Sequence, residues 1–220
     1  MLLEKERRNI VDFGKKLVTA KLTTGTGGNL SVINRRKKQV AISPSGLDYF
    51  KTRPVDVVIT DMAGRIEEDG SRKPSSELNF HLELYRTRPD IQAVVHTHSV
   101  YATTIACLGW ELPPVHYLIG FCGHKVPIAP YATFGSKALA RQVAKGIGSC
   151  NAILLANHGL VTVGADMAAA FTIAEEIEFV ARVYYQAKNI GKPVLLPDQE
   201  MEMVIEKFKT CGQRWKQDFG

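Results

Sequence analysis

Two histidines separated by one residue stand at the end of an apolar run. His96 and His98 follow residues 93–95, an Ala-Val-Val run typical of a buried strand. Residues i and i+2 of a strand project to the same face, ~6 to 7 Å apart, so both imidazoles can reach one ion. Two neutral imidazoles supply half of a tetrahedral zinc site. The pair is therefore a candidate metal site, although ordinary histidines at a strand end would show the same spacing.

A third imidazole and a carboxylate also stand at the ends of predicted elements. His158 comes shortly after the apolar run 153–155, and the ends of strands commonly carry functional residues. Glu77 lies at the start of a predicted helix, where a carboxylate also gains ~0.3 to 1 kcal/mol from the helix dipole. Taken singly, His158 could equally be an ordinary loop histidine, and Glu77 could be a carboxylate that only stabilises the helix dipole. Together with His96 and His98 they form the nitrogen and oxygen donor set that catalytic zinc favours.

Three short segments have residue types that bind anions: Gly27-Gly28-Asn29, Ser43-Pro44-Ser45-Gly46 and Ser75-Ser76. Glycine backbones approach an anion closely, short hydroxyls donate hydrogen bonds, and a helix N-terminus supplies positive potential. A phosphate would fit such a site. The glycine segment is not a P-loop or a dinucleotide fingerprint, because it runs from a helix into a strand and lacks a Gly-Lys-Ser/Thr ending. A glycine helix cap and two serine turns remain the alternative interpretation.

The other histidines carry weaker predictions. His81 lies on the helix after Glu77 and is predicted to be a hydrogen-bonded structural side chain. His116 and His124 flank a predicted loop and receive no role. Tyr117 lies beside them, and its hydroxyl could donate a proton to a nascent alkoxide.

The elements that would position these residues alternate along the chain. Apolar residues at helical spacing, with their capping residues, predict helices at residues 5–22, 77–87, 100–108, 137–147, 167–189 and 199–210. Short β-prone runs predict strands at 30–33, 39–42, 55–60, 91–97, 125–129, 152–156 and 161–163. This order predicts a mixed α/β or α+β fold, in which helices cover a sheet. We expect residues 1–220 to form one domain.

Composition favours a globular protein. The chain has 220 residues, of which 45% are hydrophobic and 23% are charged. Its longest apolar runs are far shorter than the ~20 residues that a membrane helix needs, so no membrane partner is expected. Charged residues occupy the start of the chain, where a signal peptide would be apolar, and a cytoplasmic location is therefore predicted.

The spacing of the cysteines and the composition of the basic run argue against a disulfide framework, a thiolate zinc site and a nucleic-acid site. Four cysteines without a CxxC pair predict reduced thiols, and neither a disulfide framework nor a thiolate zinc site. The net charge is +6, and its densest basic run is residues 35–38. This run lies between two predicted strands and lacks interleaved aromatic residues that would stack on bases. It is predicted to be a solvated hairpin tip, and no nucleic-acid partner is expected.

Seven segments of the chain resemble, in order, the class II aldolase and adducin family, and within it the L-fuculose-1-phosphate aldolases. The segments are GTGGNLSV (25–32), SPSG (43–46), KPSSELNFHLELY (73–85), AVVHTHSVYAT (93–103), PPVHYLIG (113–120), APYATFGS (129–136) and LLANHGL (154–160). The resemblance implies a central, mostly antiparallel sheet flanked by helices. It also implies a homotetramer with active sites at subunit interfaces.

Carried over by position, the resemblance implies a role for each matched residue. One Zn²⁺ per subunit would be bound by His96, His98 and His158, with Glu77 as fourth ligand in the resting enzyme and as acid/base during turnover. Tyr117 would reach a neighbouring subunit's site as a second catalytic residue. The phosphate would be held by Gly28, Asn29, Ser45, Gly46, Ser75 and Ser76. The aldehyde end would contact Phe134 and Phe208.

The implied activity is the reversible cleavage of L-fuculose 1-phosphate to dihydroxyacetone phosphate and L-lactaldehyde. Two enzymes of the same family are alternatives, ribulose-5-phosphate 4-epimerase and methylthioribulose-1-phosphate dehydratase. The epimerases carry an aspartate in the segment where this chain has residues 116–119, His-Tyr-Leu-Ile, which counts against epimerisation. From another class, a non-enzymatic adducin-like scaffold would not need the metal-site residues. Cys211 stands where the aldolases have a tail tyrosine, so the aldehyde specificity is open; Trp215 or Phe219 could replace that tyrosine.

Overall fold

The computed structural model of the chain describes residues 1–68 and 72–210. Its helices are α1 (Glu4–Thr19), α2 (Leu78–Thr87), α3 (Val100–Cys107), α4 (Lys137–Ile147), α5 (Met167–Ile190) and α6 (Asp198–Thr210). Its strands are β1 (Asn29–Asn34), β2 (Gln39–Ile42), β3 (Val58–Asp61), β4 (Ala93–Thr97), β5 (Ile128–Ala129), β6 (Ala152–Leu155) and β7 (Gly159–Gly164). Short 3-10 turns cover Pro54–Asp56 and Tyr117–Phe121.

The seven strands form one sheet in the order β3-β2-β1-β4-β7-β6-β5. All described strand pairs are antiparallel except β5 with β6. β4 lies at the centre, where His96 is opposite Asn29 of β1 and Val161 of β7. The mixed fold predicted from the sequence, with a mostly antiparallel sheet flanked by helices, is confirmed.

Alternate residues of the central strands face opposite layers of helices, as the period of a strand requires. Val95 packs in the cluster formed with α1 and α5, whereas Val94 packs in the cluster formed with α2 and α4. A third apolar cluster joins α3, α5 and α6, for example through Ile105, Ile177 and Met201. Both faces of the sheet are therefore covered, and functional side chains must emerge at its edges or at strand ends.

Three predicted element boundaries were wrong by three residues. The helix predicted for 5–22 ends at Thr19, because Lys21 has a left-handed backbone with φ of 59°. The strand predicted from residue 55 begins at Val58, since Pro54 at the first turn position and the side chain of Asp56 stabilise a 3-10 turn there. The strand predicted for 125–129 contains only residues 128 and 129.

Other local predictions are confirmed. The tip at residues 35–38 joins β1 to β2 and is exposed. The side chain of Asp166 caps α5, accepting a hydrogen bond of 2.8 Å from the Ala169 amide. Among the described residues, no helix is both long enough and apolar enough to cross a membrane.

A carboxylate from a distant helix caps α3, the helix that directly follows the histidine pair. Glu178 of α5 accepts hydrogen bonds from the backbone N–H of Tyr101 at 2.9 Å and of Ala102 at 2.8 Å. The residue before α3, Ser99, makes no side-chain cap. Glu178 thus satisfies amides that the helix leaves unpaired, and its charge lies at the positive end of the dipole.

Replacing Glu178 with alanine is expected to lower the free energy of unfolding by about 1 kcal/mol, the usual effect of losing a helix cap. Urea denaturation followed by circular dichroism measures the change. Glu176→Ala, two residues away on the same helix, serves as the control and should not destabilise the protein. Equal stability of the Glu178 variant and wild type would show that the cap contributes nothing.

Candidate active site

Three imidazoles and one carboxylate converge at one end of the central strands. The potential ligand atoms of Glu77, His96, His98 and His158 all lie within 4.8 Å of one another. Nε2 of His96 lies 2.9 Å from Nε2 of His98 and 3.2 Å from Oε2 of Glu77. Nε2 of His158 lies 3.3 Å from Oε1 of Glu77. The structure therefore brings together the four residues that the sequence singled out.

The end of β4 places two of these ligands. His96 is the fourth residue of the strand and is fully buried, whereas His98 follows the last residue of the strand and is exposed. Nδ1 of His96 donates a hydrogen bond of 2.9 Å to the Leu160 carbonyl. This bond fixes the ring and leaves Nε2 as the atom that faces the other ligands, as is usual for metal-binding histidines.

The tight connection between β6 and β7 places the third imidazole. His158 lies between the two strands, after Asn157, whose φ of 55° is left-handed. Gly159 begins β7 against the end of β4; a Cβ at this position would lie 2.3 Å from the Thr97 carbonyl oxygen. Glycine is therefore required at residue 159 to bring His158 to the end of β4.

Glu77 immediately precedes α2 and is buried. Its Oε2 accepts a hydrogen bond of 2.9 Å from the Asn29 side-chain amide. Its Oε1 is buried without a hydrogen-bond partner among the described residues. A buried carboxylate oxygen without a partner is costly unless a ligand satisfies it.

The electrostatics of the four groups favour a positive charge between them. Burial acts to raise the pKa of Glu77, but His96, His158 and the Asn29 amide outweigh it and hold this pKa well below its usual value. Burial acts to lower the pKa of His96, but the Glu77 carboxylate raises it. Burial, followed by the repulsion of His96, lowers the pKa values of His98 and His158 to about 4. Both of these imidazoles are therefore neutral at pH 7 and offer lone pairs.

These observations fit a divalent metal ion. Neutral imidazoles and an ionised carboxylate are the ligands that catalytic zinc uses, and the partnerless Oε1 of Glu77 points among them. The donor set contains no thiolate, which is consistent with a borderline cation such as Zn²⁺. His96, His98, His158 and Glu77 are the side chains that would hold the ion.

A cavity of about 470 Å³ opens beside the four ligands, within the ~300 to 1,000 Å³ usual for small-molecule sites. Glu77, His98 and His158 line one part of it. The three predicted anion-binding segments line another, including all six predicted phosphate residues: Gly28, Asn29, Ser45, Gly46, Ser75 and Ser76. Hydrogen bonds from the Ser75 amide to the Ser43 carbonyl (3.1 Å) and from the Ser45 amide to the Lys73 carbonyl (2.9 Å) hold two of these segments side by side.

The residues predicted to contact the aldehyde end of the substrate lie in two different places in the structure. Phe134 lines the cavity and is 64% exposed. Tyr117 and Phe208 stack on each other, with ring centroids 6.1 Å apart, and neither belongs to the described residues that line the cavity of this chain. Half of the Tyr117 surface is exposed and would be free to contact a neighbouring subunit. That contact stays a prediction. Cys211, Trp215 and Phe219 lie outside the described residues.

Sequence reasoning assigned no role to four other residues of the cavity: Thr26, Tyr131, Ala132 and Asn157. Tyr131 is 62% exposed and stands near Phe134 in the segment between β5 and α4. Its position in a loop between two elements was the available signal. Asn157 could have been found as the neighbour of His158.

Comparisons with known proteins agree with this geometry. A sequence profile of the family described as Class II Aldolase and Adducin N-terminal domain matches residues 8–185. A protein of Bacillus thuringiensis serovar kurstaki named 5-deoxy-D-ribulose 1-phosphate aldolase is 57% identical over 214 residues, which are 97% of this chain and 100% of that protein. An L-fuculose phosphate aldolase of Escherichia coli K12 is 39% identical, over 94% of this chain and 95% of that protein.

A solved structure named L-fuculose 1-phosphate aldolase is similar throughout. It superposes with a TM-score of 0.92 at 48% identity, covering 95% of this chain and 98% of that chain. The crystal structure of a sugar-phosphate aldolase from Thermotoga maritima, at 20% identity and a TM-score of 0.69, shares the fold.

Proposed function

The chain belongs to the class II aldolase and adducin family, and on this premise we propose that it cleaves a short ketose 1-phosphate into dihydroxyacetone phosphate and an aldehyde. Class II aldolases are lyases that depend on a metal ion. The observation that carries the proposal is the cavity itself, where four metal-ligand side chains adjoin three anion-binding segments. A ketose 1-phosphate carries the matching groups, a phosphate and neighbouring oxygens at C2 and C3.

The proposed cofactor is one Zn²⁺ per chain, held by His96, His98, His158 and Glu77. When bound, it would act as a Lewis acid for the negative charge that develops on the C2 oxygen during cleavage. The donor set and the partnerless Oε1 of Glu77 support this choice.

The reaction breaks the C3–C4 bond of the sugar. Its electron pair stays with C3, the C4 hydroxyl loses its proton as the aldehyde forms, and C3 gains a proton, so atoms and charge balance. We assign the proton transfer at C3 to Glu77, which lies at the junction of the metal ligands and the phosphate segments. Tyr117 from a neighbouring subunit is proposed to serve the C4 oxygen.

The phosphate is proposed to bind where the three segments meet. Backbone N–H groups around Gly28 and Gly46, and the hydroxyls of Ser45, Ser75 and Ser76, are suitable donors to phosphate oxygens. Asn29 lines the same cavity but donates to Glu77, so it links the phosphate end to the catalytic carboxylate.

Two substrates are candidates, and they differ in the aldehyde released. Cleavage of 5-deoxyribulose 1-phosphate gives acetaldehyde, whereas L-fuculose 1-phosphate gives lactaldehyde, which has one more carbon, carrying a hydroxyl. The relative at 57% identity favours the first, and the apolar wall at Phe134 suits a small apolar product. L-Fuculose 1-phosphate, predicted from the sequence, stays the second candidate because of the structure at 48% identity that bears its name.

Assembly, domain organisation and location also remain predictions. We infer one domain over residues 1–220, a homotetramer with active sites between subunits, and a cytoplasmic location. The partly exposed ring of Tyr117 is consistent with a contact to another subunit.

A panel of phosphorylated sugars tests the function. The purified, zinc-loaded protein is incubated with 5-deoxyribulose 1-phosphate, L-fuculose 1-phosphate, 5-methylthioribulose 1-phosphate and ribulose 5-phosphate, and dihydroxyacetone phosphate is measured by its coupled reduction. We expect the highest kcat/KM with 5-deoxyribulose 1-phosphate. Failure of all three ketose 1-phosphates to release dihydroxyacetone phosphate would overturn the proposal; ribulose 5-phosphate cannot release it, since its phosphate is on C5. Epimerised ribulose 5-phosphate without cleavage would favour the 4-epimerase instead.

Gly28→Ala is expected to raise KM for the ketose 1-phosphate at least tenfold, about 1.4 kcal/mol of lost binding. Gly28 has a φ of +68°, and an added Cβ would lie 2.6 Å from the His96 carbonyl oxygen, so the loop must move away from β4. Steady-state kinetics measures the change. Gly25→Ala is the matched control, since Gly25 has a φ of +60° but nothing within 4 Å of the added Cβ. An unchanged KM in both variants would remove this loop from the phosphate site.

A further inference from the structure

A chain of buried polar groups lies behind the Glu77 carboxylate, and of its members only Asn29 also lines the cavity. We call Tyr85, Ser31, His81 and Asn29 the buried polar chain. The Tyr85 hydroxyl lies 2.7 Å from Ser31 Oγ, which lies 2.7 Å from Nδ1 of His81. Nε2 of His81 lies 2.5 Å from Oδ1 of Asn29, whose Nδ2 donates to Glu77. The hydrogen bonds of the buried polar chain therefore end at the Glu77 carboxylate.

Which group donates and which accepts each hydrogen bond in the buried polar chain follows from the ionised Glu77 carboxylate at its end. An ionised carboxylate only accepts hydrogen bonds, so the Asn29 amide must direct its NH2 group at Glu77 and its oxygen at His81. Nε2 of His81 must then carry the proton, and Nδ1 of the neutral ring must accept the Ser31 hydroxyl proton. Tyr85 in turn donates to Ser31. Every donor in the buried polar chain thus points towards Glu77.

Two periodicities bring these groups together. Asn29 and Ser31 are i and i+2 on β1 and share one face of that strand. Glu77, immediately before α2, is followed at intervals of four residues by His81 and Tyr85, which share one face of that helix. His81 and Ser31 are fully buried, and Tyr85 is 1% exposed. Water cannot replace a missing partner here, so each hydrogen bond constrains the next.

Apolar side chains surround the buried polar chain. Phe80, Leu84 and Val94 belong to the same packing layer between α2 and the sheet. A layer of this kind would be filled equally well by apolar residues, and buried polar groups stabilise it only when fully paired. Here every group is paired, and the pairing converges on one carboxylate oxygen.

We propose that His81 is a positioning residue, which holds the Asn29 amide in the one orientation that donates to Glu77 and so directs the free Glu77 oxygen at the metal ligands. This inference rests on the proposed function for its role in catalysis. Without the Nε2–H donor, the Asn29 amide can rotate by 180° and present its oxygen to the carboxylate, which is repulsive. Glu77 would then lose its fixed position and its stabilised charge.

The ionisation of the two rings is consistent with this role. Burial, followed by the repulsion of His96, lowers the pKa of His81 to about 3, so the ring is neutral at pH 7. Burial raises the pKa of Tyr85 above its usual value, so its hydroxyl keeps the proton that it donates to Ser31.

Two variants of nearly equal size separate positioning from packing. His81→Gln keeps an N–H donor near the place of Nε2, whereas His81→Met has similar length and volume but no donor. We expect His81→Met to weaken Zn²⁺ binding by about 10- to 100-fold, as loss of an outer partner of a metal ligand does, and to lower kcat. His81→Gln should bind Zn²⁺ within a few-fold of wild type. Competition with a chromophoric chelator measures the affinity without substrate.

A double-mutant cycle tests whether His81 acts through Asn29. In an Asn29→Ala background, His81→Met and His81→Gln should bind Zn²⁺ equally. Thr162→Val serves as the packing control, because the Thr162 hydroxyl is buried on the other face of the sheet, where it donates to the Ala170 carbonyl at 2.7 Å. It should lower stability and leave Zn²⁺ affinity unchanged.

Several outcomes would overturn the inference: wild-type Zn²⁺ affinity in His81→Met, equal losses in the two His81 variants, or a difference between them that persists without Asn29. Should the variants not fold, the nitrogen resonances of His81 in the wild-type protein decide, and protonation at Nδ1 would refute it. If no ketose phosphate is cleaved but the cycle behaves as described, the proposed function fails while the positioning role stands.

Discussion

Glu77→Gln is expected to lower kcat for ketose 1-phosphate cleavage by about 100- to 10,000-fold, the range that general acid–base catalysis contributes. Glutamine keeps one oxygen in the place of Oε2, which accepts the Asn29 hydrogen bond and lies 3.2 Å from Nε2 of His96, but its amide cannot exchange a proton with C3. Bound metal should therefore be retained while turnover is lost. Single-turnover release of dihydroxyacetone phosphate and metal analysis of the same sample measure both quantities.

The matched control for this variant is Glu83→Gln on the same helix. Glu83 pairs with Arg86 at 3.0 Å and does not line the cavity, so its replacement should leave kcat unchanged. A near wild-type rate in Glu77→Gln would rule out Glu77 as the acid/base. Loss of metal from this variant would instead show that the carboxylate charge is needed mainly for binding.

His98→Ala is expected to weaken Zn²⁺ binding by more than the ~100-fold that losing an outer partner causes, because a direct ligand is removed. His98 is exposed, so the substitution should leave the fold of the metal-free protein intact. At a Zn²⁺ concentration 100 times its dissociation constant, wild type should gain about 2.7 kcal/mol of stability. The variant should gain less than about 0.4 kcal/mol at the same concentration, which thermal unfolding with and without Zn²⁺ measures.

His124→Ala provides the matched control, since His124 is also an exposed histidine but lies outside the four-residue cluster. It should show the full stabilisation by Zn²⁺. Equal stabilisation of wild type and His98→Ala would place the metal elsewhere or show that three ligands suffice.

The candidate metal ligands could be predicted because local periodicity and position at element ends carry the signal. His96 and His98 follow the apolar residues 93–95 with the spacing that puts them on one face, and His158 follows the strand β6. What the sequence could not show is that β4 and β7 are neighbours, since strand order depends on pairing between distant residues. The resemblance implied only that His96, His98 and His158 bind the same ion, and the strand order comes from the structure.

The hydrogen-bond partners within the buried polar chain could not be predicted from the sequence. His81 was predicted to be a hydrogen-bonded structural side chain, and this is confirmed. Its partners could not be predicted, because they belong to a strand some fifty residues away. The four-residue spacing of Glu77, His81 and Tyr85 was visible, but such spacing on a helix more often marks an apolar face than a polar one.

Errors in the elements arose where tertiary structure overrides local propensity. Val55 stands in a β-prone run, yet Pro54 and Asp56 fold this segment into a 3-10 turn. Lys125 and Val126 have strand propensity, but only residues 128 and 129 find a partner in β6. Substrate choice depends on a few side chains at the open end of the cavity, which the family pattern does not specify.

Titration of the metal-free protein with Zn²⁺ tests whether cleavage depends on a metal ion at the four-residue cluster. Metal is removed with a chelator, and cleavage of 5-deoxyribulose 1-phosphate is measured after each addition. We expect no cleavage without metal and a rate that rises in proportion to bound Zn²⁺ until one ion per chain is bound. Full activity in protein shown to be free of divalent metal would contradict this expectation.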